Sequence, residues 1–237
     1  MTARLADWFE ERLGWRTVWA AVFLRKIPHV NWLYTLGSAT LFLAILQIVT
    51  GILLTIYYVP TPDHAYDSVM YITTELPAGW FIRGLHHYGA SAMVIVTVLH
   101  LLRTFFYGAY KYPRELTWVV GVLLLLVVMA FGFTGYLLPW DQRSYWATVV
   151  GTHIASYTPL VGGYVMELLR GQPEVGVRTL GRFYAFHTLF LPAILFVLTV
   201  IHVAMVIKQG IAPLPVKQFA SVTREQYHEL ARASKER

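Results

Sequence analysis

The chain of 237 residues contains no cysteine. That absence excludes a disulfide, a thiolate-held iron–sulfur cluster, a cysteine-type zinc site and a thioether-linked haem. Charge is the second scarcity: Asp, Glu, Lys and Arg make up 14% of the residues, against 57% hydrophobic. So few charges among long apolar tracts point to a bilayer and away from a water-facing surface. Also missing are a repeat of the whole chain, a low-complexity tract and the apolar stretch of a cleavable leader, since residues 1–26 are polar and amphipathic. The net charge of +6 clusters at the ends of apolar runs. There it reads as a topology signal and a contact for lipid headgroups, not as a nucleic-acid surface.

What is present is bounded by where the charges stop. No charged residue lies between Lys26 and Asp63, Arg83 and Arg103, Glu115 and Asp141, or Arg182 and Lys208. A hydrocarbon core of ~30 Å takes about 20 helical residues, so each gap holds a span. The expected spans are 32–58, 80–106, 116–138 and 183–208. A further uncharged gap, Arg143 to Glu167, carries Gly151, His153, Ser156, Pro159, Gly162 and Gly163, which suits short interfacial helices better. With four spans, one side of the membrane collects 14 of the 19 Lys and Arg. The positive-inside rule makes that side cytoplasmic, with both termini on it. Residues 2–24, with Trp8, Phe9, Leu13, Trp15 and Trp19 among charges, read as an amphipathic helix on the membrane surface. The expected architecture is an all-α bundle of four transmembrane helices over residues 1–215, followed by a polar tail, 216–237, helical near 223–235.

Two spans carry paired histidines: His86 and His100, fourteen apart, and His187 and His202, fifteen apart. At about 100° per residue, fourteen steps return to within ~40° of the starting face and fifteen to within ~60°, with ~21–22 Å of rise. Each helix therefore offers an imidazole near each membrane face. The topology pairs His86 with His187 and His100 with His202. Two opposed imidazoles suit a six-coordinate haem iron that transfers electrons and leaves no position for oxygen. A lone intramembrane histidine is more often a helix–helix hydrogen-bond partner. Four at matched depths on two helices favour ligation, because ionisable groups in a bilayer are costly and rarely idle. His87, next to His86, faces elsewhere. Arg83 and Arg103 stand three residues beyond His86 and His100, placed to pair with haem propionates or simply to snorkel. Gly37 and Gly51, and Gly121 and Gly135, are also fourteen apart. They leave room for two flat cofactors, beyond what close helix packing requires.

These residues resemble the cytochrome b/b6 family, and its b6-type branch in particular. The resemblance spans most of residues 5–215. It is carried by DWFEERL at 7–13, PHVN at 28–31, RELTWV at 114–119, GYLLPWDQ at 135–142, ELLRG at 167–171, RFY at 182–184 and KQG at 208–210. It implies two non-covalent b haems, a lower-potential outer one on His86 and His187 and an inner one on His100 and His202. It implies quinol oxidation near the outer face, with one electron passing to a Rieske iron–sulfur protein. The second crosses the haems to an inner quinone site, with proton release outside and uptake inside. A c-type cytochrome and a dimeric complex follow from the same likeness. Phe133, Tyr136, Trp140 and the 144–150 stretch become candidates for the outer quinol pocket, although Trp and Tyr also anchor interfaces.

Three departures refine the expectation. Thr35 stands where typical cytochrome b6 has the cysteine that ligates a third haem, so no covalent haem is expected. Ile207 replaces an arginine beside the inner site. No PEWY segment follows the fourth span, so a separate protein resembling subunit IV, or the C-terminal part of cytochrome b, is expected as a partner. The competing readings are a histidine-relay proton or ion translocator and a haem-bearing anchor for another oxidoreductase. The first calls for intramembrane acids, which the spans lack.

Overall fold

The computed structural model describes residues 2–16, 19–20, 31–212 and 229. Among the described residues the chain is helical without strands. Four of its helical segments are long and apolar enough to cross a membrane: Trp32–Thr55, Gly79–Phe106, Glu115–Leu137 and Val177–Gln209. The expected spans thus stand, with shifted ends. Residues 56–58 turn out of the first helix, and the fourth helix starts earlier because an amphipathic stretch runs straight into it.

In chain order the elements are α1 (Thr2–Leu13), a 3-10 turn (Trp32–Thr35), α2 (Leu36–Thr55), α3 (Ala65–Thr74), α4 (Gly79–Phe106) and α5 (Glu115–Leu137). Then follow α6 (Gln142–Ser156), α7 (Gly162–Arg170), α8 (Val177–Ala185), a π-helical turn (Phe186–Phe190) and α9 (Leu191–Gln209). The expected surface helix over 2–24 is interrupted at Gly14: α1 ends at Leu13, where Gly14 takes a positive φ of 56° and its N–H closes on Glu10 O at 2.9 Å, and the described residues 15–16 and 19–20 are again helical. That left-handed glycine is an ordinary helix stop. Trp8, Phe9 and Leu13 are exposed on α1, as a membrane-surface helix requires. Residues 17–18, 21–24 and, apart from residue 229, the tail from 213 lie outside the described residues.

The first span packs chiefly on the second, and the third on the fourth. At mid-height Ala44, Met93 and Val128 form one buried cluster. Each lies midway between residues fourteen apart: Gly37 and Gly51, His86 and His100, Gly121 and Gly135. A heptad offset returns close to the same helix face. The same arithmetic that lines up the glycines and histidines therefore lines up an apolar waist between them. Leu195, seven before His202, is the buried residue of α9. Elsewhere the bundle is open. No more than 17% of any span's central window is buried within the chain, so the remaining surface faces lipid, cofactor or other chains.

The segment between spans three and four forms two helices, as expected, and the loop after the first span adds one that was not, α3. Asp141 starts α6: its carboxylate accepts the Ser144 N–H at 2.7 Å while Ser144 Oγ accepts the Asp141 N–H at 2.9 Å. This reciprocal cap satisfies two helix-end donors. Arg170 locks the group. It is buried, yet donates to Thr152 Oγ1 (2.7 Å), Pro173 O (2.9 Å) and Val149 O (3.2 Å). Beneath lies the cluster of Ala65, Leu137, Leu180 and Phe183, tied to the first span by Tyr58, whose hydroxyl donates to Leu138 O at 2.7 Å.

Arg170→Met removes three donated bonds, to Thr152 Oγ1, Pro173 O and Val149 O, of which only Val149 O keeps a side-chain donor, Thr152 Oγ1 at 3.2 Å. The expected cost is about 1–3 kcal/mol, seen as a lower thermal unfolding midpoint of the detergent-solubilised protein. Thr152→Val, which removes one partner, lowers it less.

Candidate functional site

The helices bring the four span histidines into two layers, one on each side of the waist. His86 and His187 form the first. Their ring centroids lie 6.2 Å apart at an interplanar angle of 73°. Two metal–imidazole bonds of about 2.0–2.1 Å, plus ~1.1 Å from each nitrogen to its ring centre, sum to roughly 6.3 Å. The observed centroid separation matches that sum. Across the waist, His100 sits close enough to His202 and Arg103 to interact electrostatically with both. His87 is exposed, on a different face from His86.

Every glycine of the fourteen-residue pairs backs one of these rings. A Cβ built on Gly51 would lie 3.2 Å from His86 Cε1, and one on Gly37 3.1 Å from His100 Cε1. On the third span, the distances are 2.6 Å from Gly135 to His187 Cε1 and 3.3 Å from Gly121 to His202 Cε1. The sequence pattern placed the glycines against flat cofactors. Here they meet the Cε1 edges of the imidazoles, so their small size sets how close each ring lies to the neighbouring helix.

The protonation of the first layer follows from its neighbours. Thr50 Oγ1 is 2.9 Å from His86 Nδ1, and Thr134 Oγ1 is 3.1 Å from His187 Nδ1. Each hydroxyl has one proton, and it is already donated within its own helix, to Leu46 O at 2.6 Å and to Ala130 O at 2.8 Å. The hydroxyl oxygen can then only accept, so Nδ1 carries the ring proton and Nε2 keeps a free lone pair. The Gln47 and Phe131 backbones also bear on the same two rings. In the second layer the Thr117 backbone bears on His202, yet His202 Nδ1 is buried without a well-formed hydrogen bond among the described residues.

The spacing of fifteen between His187 and His202 is resolved by the π turn. Pro192 has no N–H to offer the carbonyl four residues back. The N–H of Leu191 instead reaches Phe186 O, five back. Such a turn inserts one residue without a full helical step. The fifteen sequence steps therefore wind like fourteen, and His187 falls on the face of His202.

Arg103 completes the second layer. Its Nε and Nη2 are buried with no hydrogen-bond partner among the described residues, and the same holds for Tyr34 Oη. The guanidinium lies 3.5 Å over the Tyr34 ring and 5.1 Å from that of Tyr107, whose hydroxyl accepts from Asn31 Nδ2 at 3.0 Å. Buried N–H groups are rarely left unpaired. Arg83 is half-buried one turn before His86. Thr35 donates to Trp32 O at 2.6 Å and so closes the 3-10 turn. Ile207 is half-buried near the end of the fourth span.

The pocket aromatics are not gathered into one cavity. Phe133 stacks edge-on against Phe183 at 5.3 Å and fills the space above Gly151. Trp140, at a positive φ of 53°, meets Tyr145 at 5.9 Å. Both flank the Leu137–Phe183 cluster, whereas Tyr136 is exposed. An apolar cavity of about 220 Å³ lies elsewhere, between the end of the first span, α3 and the start of the second span.

The residues fit a tetrapyrrole. Among the described residues no group of three or more His, Cys, Asp or Glu is close enough to hold a bare metal ion, and two imidazoles alone leave an ion short of ligands. A haem brings four nitrogens of its own and needs axial imidazoles, and a propionate suits the unpaired Arg103 N–H groups.

Four membrane-crossing helices with histidines paired across the bundle define the class: a helical membrane protein with two pairs of imidazoles in its interior. The particular family follows from comparison. A family model described as cytochrome b/b6/petB matches residues 22–210, and the chain belongs to the cytochrome b/b6 family. It is 46% identical over 221 residues to the menaquinol:cytochrome c reductase cytochrome b subunit of Bacillus subtilis, covering 90% of this chain and 99% of that protein. It is 44% identical over 211 residues to cytochrome b6 of Acaryochloris marina, covering 89% and 98%. Among solved structures it resembles a chain of a hyperthermophilic respiratory Complex III, with a TM-score of 0.79 and 32% identity. It covers 97% of itself and spans 63% of that longer chain.

Two changes test the geometry. Deleting Leu189 takes the extra residue out of the π turn and should leave both histidine layers aligned, with haem content retained. Deleting Leu198, beyond the turn, rotates His202 by about 100° and should abolish haem binding in its layer. Both are read by absorbance of the purified protein.

Proposed function

We propose that this chain is the electron-carrying cytochrome b subunit of a quinol-oxidising complex in a bacterial inner membrane, with both termini cytoplasmic. It serves quinol oxidation at the outer face and quinone reduction at the inner face, and the paired reactions translocate protons. The 6.2 Å separation of the His86 and His187 rings, backed by glycines, is the observation that carries the reading. His86 and His187 hold the outer haem b, His100 and His202 the inner. The bound haems supply a reversible one-electron iron couple.

The chain's own contribution is positioning and insulation. Gly37, Gly51, Gly121 and Gly135 set the depth of the rings. Thr50 and Thr134 hold the outer Nδ1 protons. Arg103 pairs with an inner propionate, and Arg83 with an outer one. Ala44, Met93 and Val128 keep water and lipid headgroups out of the interval between layers. The curated relatives act in quinol or b6-type complexes, which supports a Rieske protein, a c-type cytochrome and a subunit IV-like protein as partners in a dimer. Phe133, Tyr136 and Trp140 stand near the outer end and border a quinol pocket completed by such a partner. Thr35 has no thiol, so both haems are non-covalent and no third is attached here.

The test is a pyridine haemochrome assay on the purified complex. Two haems b per copy of this chain and none covalently attached are expected. His202→Leu should remove the inner haem and leave the outer, halving the yield. An unchanged yield in His202→Leu, or a covalent haem on this polypeptide, would overturn the assignment. Arg103→Leu should retain both haems with weakened inner binding, by about 1–3 kcal/mol for a lost charge-assisted bond, measured as faster haem loss in detergent.

A further inference from the structure

The two layers are built on one fourteen-residue repeat, so their differences are informative. The residue before each imidazole-backing glycine differs between the layers. In the outer layer that residue is Thr50 and Thr134; at the equivalent inner positions it is Leu36 and Val120. For the rings of the fourth span the backbone support repeats: Phe131 bears on His187 and Thr117, fourteen earlier, on His202. The hydroxyl does not repeat. Thr50 and Thr134 are both buried, with oxygens 2.9 and 3.1 Å from Nδ1 of His86 and His187. Their own protons are spent on Leu46 O and Ala130 O. His202 Nδ1, by contrast, is buried with no well-formed bond among the described residues.

From this asymmetry we infer that Thr50 and Thr134 are positioning residues that lower the redox potential of the outer site relative to the inner, so that electrons run inward. This rests on the haem assignment proposed above. The physical link is ligand basicity. An imidazole that donates its Nδ1 proton to an acceptor becomes a stronger donor at Nε2. A more basic axial ligand stabilises ferric over ferrous iron and so lowers the potential. The outer rings each have one more acceptor than the repeat provides inside. The hydroxyl also fixes the tautomer, because a ring donating at Nδ1 cannot carry its proton at Nε2.

The test uses the whole complex, purified from membranes, with optical redox titration of both haems. In Thr50→Val with Thr134→Val the lower midpoint should rise and the upper stay in place. A tenfold loss of inward bias corresponds to about 59 mV for a one-electron couple. Thr50→Ser with Thr134→Ser keeps both hydroxyls and should keep the wild-type midpoints, which a purely steric role would not require. In the converse pair, Leu36→Thr with Val120→Thr, the upper midpoint should fall. Unchanged midpoints in the valine variant, or equal shifts of both haems, overturn the inference. If the valine variant does not assemble, the converse pair decides, and an upper midpoint that stays put overturns it. A wild-type complex lacking haem on this chain overturns the haem assignment itself, a distinct result.

Discussion

Keeping four imidazoles inside a hydrocarbon layer, each aimed at a partner from another helix, is the constraint from which the rest of the bundle follows. A buried polar ring without hydrogen bonds is costly. A ring pushed forward by a Cβ behind it loses the space its partner shares. The glycines answer the second demand, with His187 closest to its backing helix. Backbone carbonyls and threonine hydroxyls answer the first in the layer of His86 and His187. Both answers come from neighbouring positions on the first and third spans, at 47, 50 and 51 and at 131, 134 and 135. Those spans therefore serve as sockets, while the second and fourth supply the rings. The waist obeys the same register, since seven residues from a glycine or histidine is again the interior face.

Much of this was legible in the amino-acid sequence because charge is so sparse. A single Arg or Asp in such a chain marks a span end, so the four gaps gave the four helices to within a few residues. The histidine and glycine spacings are likewise visible without coordinates. What the spacing could not show was why His187 and His202 sit fifteen apart and still share a face. An ideal helix leaves them ~60° out of line. The answer depends on how Pro192 reroutes one backbone bond, and a proline near a helix start equally signals an ordinary first turn. The ends of α1 and α3 were also hidden, because a polar glycine stop and a short loop helix leave weak periodic signals.

The threonines are a different case. Thr-Gly occurs at 50–51 and at 134–135, which is a pattern, but a buried threonine bonding its own helix carbonyl is common and carries no ligand meaning by itself. Only the distance to Nδ1 separates the two roles. The pocket aromatics show the converse. Phe133, Tyr136 and Trp140 are close in sequence, yet Tyr136 is exposed while the other two border the Leu137 cluster. A pocket using all three needs a wall from outside this chain.

Two arginines make the final distinction. Arg170 is buried and Arg103 is half-buried with its Nε and Nη2 out of water, and a guanidinium taken out of water costs several kcal/mol unless it is compensated. Arg170 finds three acceptors within the chain and no carboxylate; it is complete as it stands and holds α6 to the α7–α8 connection. Arg103 has an aromatic face at 3.5 Å, which returns about 0.5–2 kcal/mol, but two of its nitrogens remain unpaired beside His100. Under the haem assignment proposed above, a propionate fills those two donors while the imidazoles hold the iron, and the position of Arg103 becomes a consequence of the histidine layer next to it.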